Sequence, residues 1–158
     1  MLRLVLALLC LGLLAGACGG DEAKPQVSFS AGGATVAAAP VQYCNQRDTQ
    51  ECANDPAAVV KLAVAPGTAV QVSVPEPVKQ APWHVVFTYL TATGERIDAR
   101  GPVIPAGQRS EFTLTLPAPT DQLVRAEVQQ FAAGLVAEPG GEVSFPISAT
   151  WALVVAGT

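Results

Sequence analysis

The sequence contains little charge and a single histidine. Aspartate, glutamate, lysine and arginine make up 14% of its 158 residues, where globular proteins usually have about a quarter. It has no Gly-x-Ser-x-Gly motif, no His-Glu-x-x-His motif and no phosphate-binding loop. Its acidic residues are scattered, so neither a catalytic carboxylate pair nor a calcium loop is evident. We therefore expect no enzyme activity and no cofactor.

Basic residues are also scarce. The sequence has nine of them, and because Arg3 lies in the N-terminal apolar stretch, eight remain against thirteen acidic residues. A net negative surface disfavours nucleic acid and offers no polybasic patch for a membrane. We expect no nucleic-acid partner.

The sequence lacks an apolar run long enough to span a membrane. Residues 4–17 carry no charge, but a spanning helix needs about 20 apolar residues. The positive charge of Arg3, the short apolar run and the small residues that follow are typical of a secretory signal peptide. The stretch Leu14-Ala15-Gly16-Ala17-Cys18 resembles a bacterial lipobox, although Ala15 stands where leucine is commoner.

These features predict a lipoprotein signal peptide over residues 1–17 and lipid on Cys18. Such an anchor would hold the exported protein at the outer face of the bacterial cytoplasmic membrane. The membrane would then be a partner through this lipid. Cleavage by an ordinary signal peptidase, which would leave Cys18 as a free thiol, stays open as the alternative.

Four cysteines are present, and the N-terminal prediction accounts for two of them. Cys10 would leave with the signal peptide and Cys18 would take lipid. Cys44 and Cys52 remain as a pair, for which export favours a structural disulfide. Zinc would need two more good ligands, and the only histidine, His84, lies far along the chain. The spacing is not that of a redox Cys-x-x-Cys motif, and no metal site is predicted.

The 13 prolines and 14 glycines divide the chain at short intervals, as in an all-β domain with many turns. Residues 18–26 are polar and predict a flexible tether, so that residues 27–158 form a single domain. Alternation over residues 70–74, 112–116 and 124–131 indicates strands with one buried face. Without crossover helices a parallel α/β fold is excluded. We predict an immunoglobulin-like antiparallel β-sandwich of about seven to nine short strands, with a β-barrel as the alternative.

The order of several features resembles a known family. The lipobox is followed by an early hairpin, by Tyr43-Cys44 with Cys52 soon after, by Val72-Ser73-Val74-Pro75, and by Ala81-Pro82-Trp83 at the start of an apolar strand. This arrangement resembles an uncharacterised family of actinobacterial envelope lipoproteins, classed as a domain of unknown function. The resemblance implies export and a β fold, and it brings no activity and no catalytic residues.

Three groups of residues are candidates for chemistry or binding. His84 could act as a general base with Ser73, Ser110 or Asp98, but no motif places these together, so we interpret it as a packing residue. The aromatic residues are expected to fill the core rather than line a ligand pocket; they are Trp83, Phe87, Tyr89, Phe131 and Trp151. Residues 95–100 form a charged segment that could contact a partner.

The leading functional hypothesis is a lipid-anchored, non-catalytic binding or accessory module of the cell envelope, with another envelope protein as its partner. The second is a carrier that holds a lipid or other apolar ligand in a cavity between the sheets. A hydrolase that uses His84 is the third.

Overall fold

The computed structural model describes residues 23–45, 48–132, 136–137 and 143–157. Cys18, the predicted signal peptide over residues 1–17 and the first part of the predicted tether lie outside the described residues. No helix among the described residues is long and apolar enough to cross a membrane.

Strands dominate the described chain. They are β1 (Val27–Ala31), β2 (Ala34–Ala38), β3 (Gln42–Asn45), β4 (Asp48–Asn54), β5 (Val60–Leu62), β6 (Val70–Ser73), β7 (Trp83–Leu90), β8 (Arg96–Arg100), β9 (Glu111–Leu114), β10 (Gln122–Phe131), β11 (Val136–Ala137), β12 (Val143–Ser144) and β13 (Ile147–Val155). A 3₁₀ turn covers Pro56–Ala58, and a single-turn helix, α1, covers Glu76–Lys79.

Two sheets pack against each other, which confirms the predicted β-sandwich. The smaller sheet has the order β2-β1-β6-β9, and the larger has the order β4-β3-β13-β10-β7-β8 with β5 beside β13. β11 and β12 form a separate hairpin. The two sheets thus contain eleven strands among the described residues, more than the seven to nine that alternation indicates. The short strands β3 and β5 and the polar seven-residue strand β4 show little alternation and account for the difference.

The strand order is that of an immunoglobulin-like domain. The run β13-β10-β7-β8 corresponds to strands G, F, C and C′, and β1-β6-β9 corresponds to A, B and E. One pair is parallel, because β5 runs alongside the C-terminal half of β13, with Leu153 opposite Val60. Sequence patterns did not predict this pair, since two parallel strands need no local turn between them.

Aromatic side chains fill the space between the sheets. Phe29, Trp83 and Trp151 are fully buried, which confirms the core role predicted for the two tryptophans. Each indole still donates a hydrogen bond, from Trp83 Nε1 to the Arg109 carbonyl at 3.3 Å and from Trp151 Nε1 to the Pro25 carbonyl at 2.8 Å. Because these rings occupy the middle of the sandwich, the structure gives no support to a ligand carried between the sheets.

Two glycine turns fix the ends of strands. Gly32 and Gly33 join β1 to β2 with φ values of 56° and 83°, which an L-residue with a side chain rarely adopts. Gly67 has a φ of 69° in the turn over residues 65–68, which Thr68 N closes with the Ala65 carbonyl at 3.1 Å. A side chain at Gly67 would also collide with the backbone of Pro119.

The single turn of α1 is an element that the sequence patterns missed. Pro75 and Pro77 end β6 as predicted, but Pro77 also lies in the first turn of the helix, where its missing N–H costs nothing. Val78 is fully buried, and Lys79 pairs with Glu76 at 2.7 Å. A helix of four residues is too short to show a helical period.

Candidate binding face and apolar patch

Cys44 and Cys52 form the predicted disulfide. Their sulfur atoms are 1.99 Å apart, and the two residues lie directly opposite each other on β3 and β4. Cys44 is buried, at 2% exposure. The bond joins the edge strand of the larger sheet to its neighbour, so it has a structural role.

His84 lies on β7 and faces away from the core. Its Nε2 is 3.0 Å from Gln129 Oε1, and its ring centroid is 4.9 Å from that of Phe131. The side chain is buried at 6% exposure, and Nδ1 has no hydrogen-bond partner. These contacts are those of a packed side chain.

The structure does not bring the other members of a possible catalytic group to His84. Asp98, on β8, lies opposite Thr88 of β7 and accepts a hydrogen bond from the Thr88 hydroxyl at 2.5 Å. Thr88 is four residues from His84, about 13 Å along the strand. Ser73 belongs to the smaller sheet, and Ser110 precedes β9 of the same sheet.

The outer face of the larger sheet carries a connected row of polar side chains. Val85, Ala126 and Val128 point into the core, so the residues that alternate with them on β7 and β10 point outward. Asp98 on β8 lies opposite Thr88 and shares this face. We call the polar members of this outward set the polar face; they are His84, Thr88, Asp98, Arg125, Glu127 and Gln129.

Hydrogen bonds link four of these side chains in one row and join Thr88 to Asp98 as a separate pair. Glu127 accepts from Arg125 Nε at 2.6 Å through one oxygen and from Gln129 Nε2 at 3.2 Å through the other. Gln129 then reaches His84 on the neighbouring strand. The side chains of Arg125 and Glu127 are 37% and 21% exposed, so the row is half-buried and held in one arrangement.

A shallow depression lies beside this row. It has a volume of about 210 Å³ and lies between β7, β8 and β10, with Thr88, Asp98, Arg125 and Glu127 among its lining residues. Arg96 and Arg100 are exposed along the adjacent strand β8. The charged segment that the sequence indicated thus borders the polar face.

A second surface feature lies at one end of the sandwich and is apolar. A pocket of about 270 Å³ is lined by Pro82, Val103, Pro105, Phe131 and Phe145; we call these five residues the apolar patch. Val103 and Phe145 are 54% and 56% exposed, and they are the exposed large apolar side chains of the described residues. The Phe131 and Phe145 rings meet edge to face at 6.3 Å.

Sequence patterns found part of these surfaces. Arg125, Glu127 and Gln129 alternate with apolar residues, which indicated that they face outward, but their pairing with His84 depends on strand register. Phe131 was expected in the core and is instead half-buried at the apolar patch, because the chain leaves β10 there. Phe145 lies between β12 and β13 and belongs to neither strand.

The described residues contain no group of three or more histidine, cysteine, aspartate or glutamate side chains that could hold a metal ion. No curated protein and no solved structure matches the chain. A family model described as "Protein of unknown function (DUF2771)" matches residues 20–156. This match covers most of the chain, and the chain therefore belongs to that family of unknown function.

Proposed function

We propose that this protein is exported, cleaved before Cys18 and anchored by lipid on that residue to the outer face of a bacterial cytoplasmic membrane. There its β-sandwich binds another envelope protein without catalysing a reaction. The uncharged run over residues 4–17 and the small residues before Cys18 support the anchor. The Cys44–Cys52 disulfide supports an oxidising compartment.

The polar face carries the binding part of the proposal. Its side chains are already ordered by hydrogen bonds to one another, so a partner would not have to immobilise them one by one. Arginine is enriched at protein interfaces, and Arg125 pairs with Glu127 and lies opposite Thr88 on β7. Such a surface favours a partner protein that presents complementary charges and hydrogen-bond groups.

The contacts of His84 support a non-catalytic role. A general base needs a nucleophile within hydrogen-bond reach, whereas Nε2 of His84 meets the amide of Gln129 and the ring packs against Phe131. We therefore assign His84 to the support of the polar face rather than to a reaction.

Photo-crosslinking in the native envelope tests the binding face. A photoreactive amino acid at Arg100, beside the polar face, should capture a partner that the same amino acid at Thr113, on the opposite sheet, does not capture. Arg125→Ala should abolish the capture at position 100, and Thr113→Ala should leave it intact. Equal capture from both positions, or capture that survives Arg125→Ala in a folded protein, would contradict the proposed face.

Fractionation of cells tests the anchor. Cys18→Ser should move the cleaved protein from the membrane to the soluble fraction, because the thiol that accepts the lipid is gone. Cys10→Ser is the matched control, since Cys10 would leave with the signal peptide and its loss should change nothing. Mass spectrometry of the mature chain should show acyl groups on Cys18. A cleaved Cys18→Ser chain that stays in the membrane fraction would argue against lipid as the anchor.

A further inference from the structure

The chain enters the sandwich at a fixed point. The Pro25 carbonyl accepts the hydrogen bond from Trp151 Nε1 at 2.8 Å, and Lys24 Nζ lies 5.9 Å from the centroid of the Tyr43 ring. The last part of the predicted tether is therefore held against β3 and β13. Lys24 therefore marks the point at which the chain meets the domain.

Strand register puts this entry point and the apolar patch at the same end of the sandwich. Tyr43 lies opposite Ala149, and Ala149 lies opposite Gln130. Gln130 in turn lies opposite Trp83 on β7. These four residues therefore lie side by side across the larger sheet. Phe131 follows Gln130 and Pro82 precedes Trp83, so these two members of the apolar patch lie one residue closer to the end of the sandwich.

The distance across this end is short. Tyr43 on β3 and Trp83 on β7 are separated by three strand spacings, about 14 Å. Five residues lie between Cys18 and Lys24, so six peptide bonds join them, and a fully extended chain of that length reaches about 20 Å. A lipid on Cys18 would therefore keep this end of the domain, with the exposed Val103 and Phe145, close to the bilayer.

From this placement we infer that the apolar patch is a second membrane contact, which inserts Phe145 and Val103 into the lipid surface beside the acyl anchor. The inference rests on the proposed lipidation of Cys18 and gives the domain an orientation. A bilayer accepts exposed apolar side chains that water does not, and two weak membrane contacts on one chain hold more firmly than either alone. The polar face, which runs along β7 and β10, would then stand away from the membrane and open to a partner.

Fluorescent labels at the two ends of the domain test the orientation. The lipidated full chain is reconstituted in vesicles of equal parts phosphatidylethanolamine and phosphatidylglycerol, with Val103→Cys or Ala92→Cys as the labelled thiol. Ala92 is exposed and follows β7 at the opposite end of the sandwich, because β7 spans about 23 Å from Trp83 to Leu90. The label at position 103 should shift to shorter wavelength and be quenched by nitroxide lipids, whereas the label at position 92 should not.

A second measurement separates the patch from the anchor. The Cys18→Ser chain, added to the same vesicles, should partition weakly through the patch alone. Phe145→Ser should lower that partition coefficient about tenfold, because one phenylalanine side chain no longer leaves water. Phe145→Trp should restore it. If mass spectrometry shows no lipid on Cys18, the proposed anchor is wrong. The partition of the Cys18→Ser chain tests the apolar patch in that case too, because it does not depend on lipid.

Two results would overturn the inference. In one, the lipidated protein sediments with vesicles while the labels at positions 103 and 92 respond alike. In the other, the label at position 103 shifts without vesicles as protein concentration rises, which would mean that a second copy of the chain covers the patch.

Discussion

The outer faces of the two sheets differ in the charge of their side chains and in how hydrogen bonds connect them. The four strands of the smaller sheet carry one charged residue, Glu111, and their outward positions are otherwise filled by short, uncharged side chains such as Ser30, Thr35 and Thr113. The neighbouring strands β7, β8 and β10 of the larger sheet carry five charged residues. One face is a solvated surface, and the other is a connected polar layer.

The hydrogen bonds show the same difference. On the smaller sheet they join isolated exposed pairs, such as Ser30 with Thr35 at 2.8 Å and Thr113 with Gln71 at 2.6 Å. On the larger sheet one carboxylate, that of Glu127, holds two neighbours, and the chain of bonds continues to the next strand. The isolated pairs can break singly, whereas the row on the larger sheet depends on a central member. The predictions below test this contrast.

Loss of the disulfide should have the largest effect on stability. Cys44→Ala with Cys52→Ala opens a link between opposite residues that are eight positions apart in sequence, and loop closure of that size contributes about 2–3 kcal/mol to the free energy of unfolding. Urea unfolding measures the loss. The matched control is Ser30→Ala with Thr35→Ala, which removes a hydrogen bond between opposite residues of the smaller sheet. It should cost less than about 0.5 kcal/mol, and equal losses would show that the bond does not hold the edge strand.

Glu127→Ala should have the next largest effect. The substitution leaves Arg125 and Gln129, both half-buried, without their shared acceptor, which we expect to lower the free energy of unfolding by about 1–3 kcal/mol. Thr113→Val is the control on the smaller sheet and should change it by less than about 0.5 kcal/mol. If thermal and urea unfolding show the same small change for both variants, the row is no more cooperative than the isolated pairs.

His84→Phe should have the smallest effect. The phenyl ring keeps the contact with Phe131 and removes the buried Nδ1 that has no partner, which offsets the lost bond to Gln129. We expect the free energy of unfolding to change by less than about 1 kcal/mol, and capture at position 100 to persist. His84→Ala, which loses the ring contact, should destabilise more. Loss of a biological function in a fully folded His84→Phe protein would instead revive the hydrolase hypothesis.

The sequence predicted what depends on local pattern. Alternation identified β6, β9 and β10, and the frequent prolines and glycines indicated an all-β domain with many turns. The pairing of Cys44 with Cys52 followed from their being the two cysteines that remain after Cys10 and Cys18 are assigned, and from their spacing. Each of these inferences uses residues that are close in the chain, where backbone geometry restricts the outcome.

Properties that depend on register could not be predicted in this way. The bond between His84 and Gln129 joins residues 45 positions apart, and a shift of one residue would turn Gln129 to the opposite face. The apolar patch forms only when Pro82, Val103 and Phe145, which are far apart in sequence, come together at one end of the sandwich. No local pattern distinguishes an exposed Phe145 from a buried one.

The central position of β13 has a consequence for how the protein folds. This strand pairs with β3, β5 and β10, and its Trp151 bonds to Pro25, 126 positions away. Among the thirteen strands of the described residues β13 comes last in sequence, so β3, β5 and β10 lack their shared neighbour until it has folded. Long-range pairing of this kind makes folding slow. We therefore expect the larger sheet to close in a late step of folding.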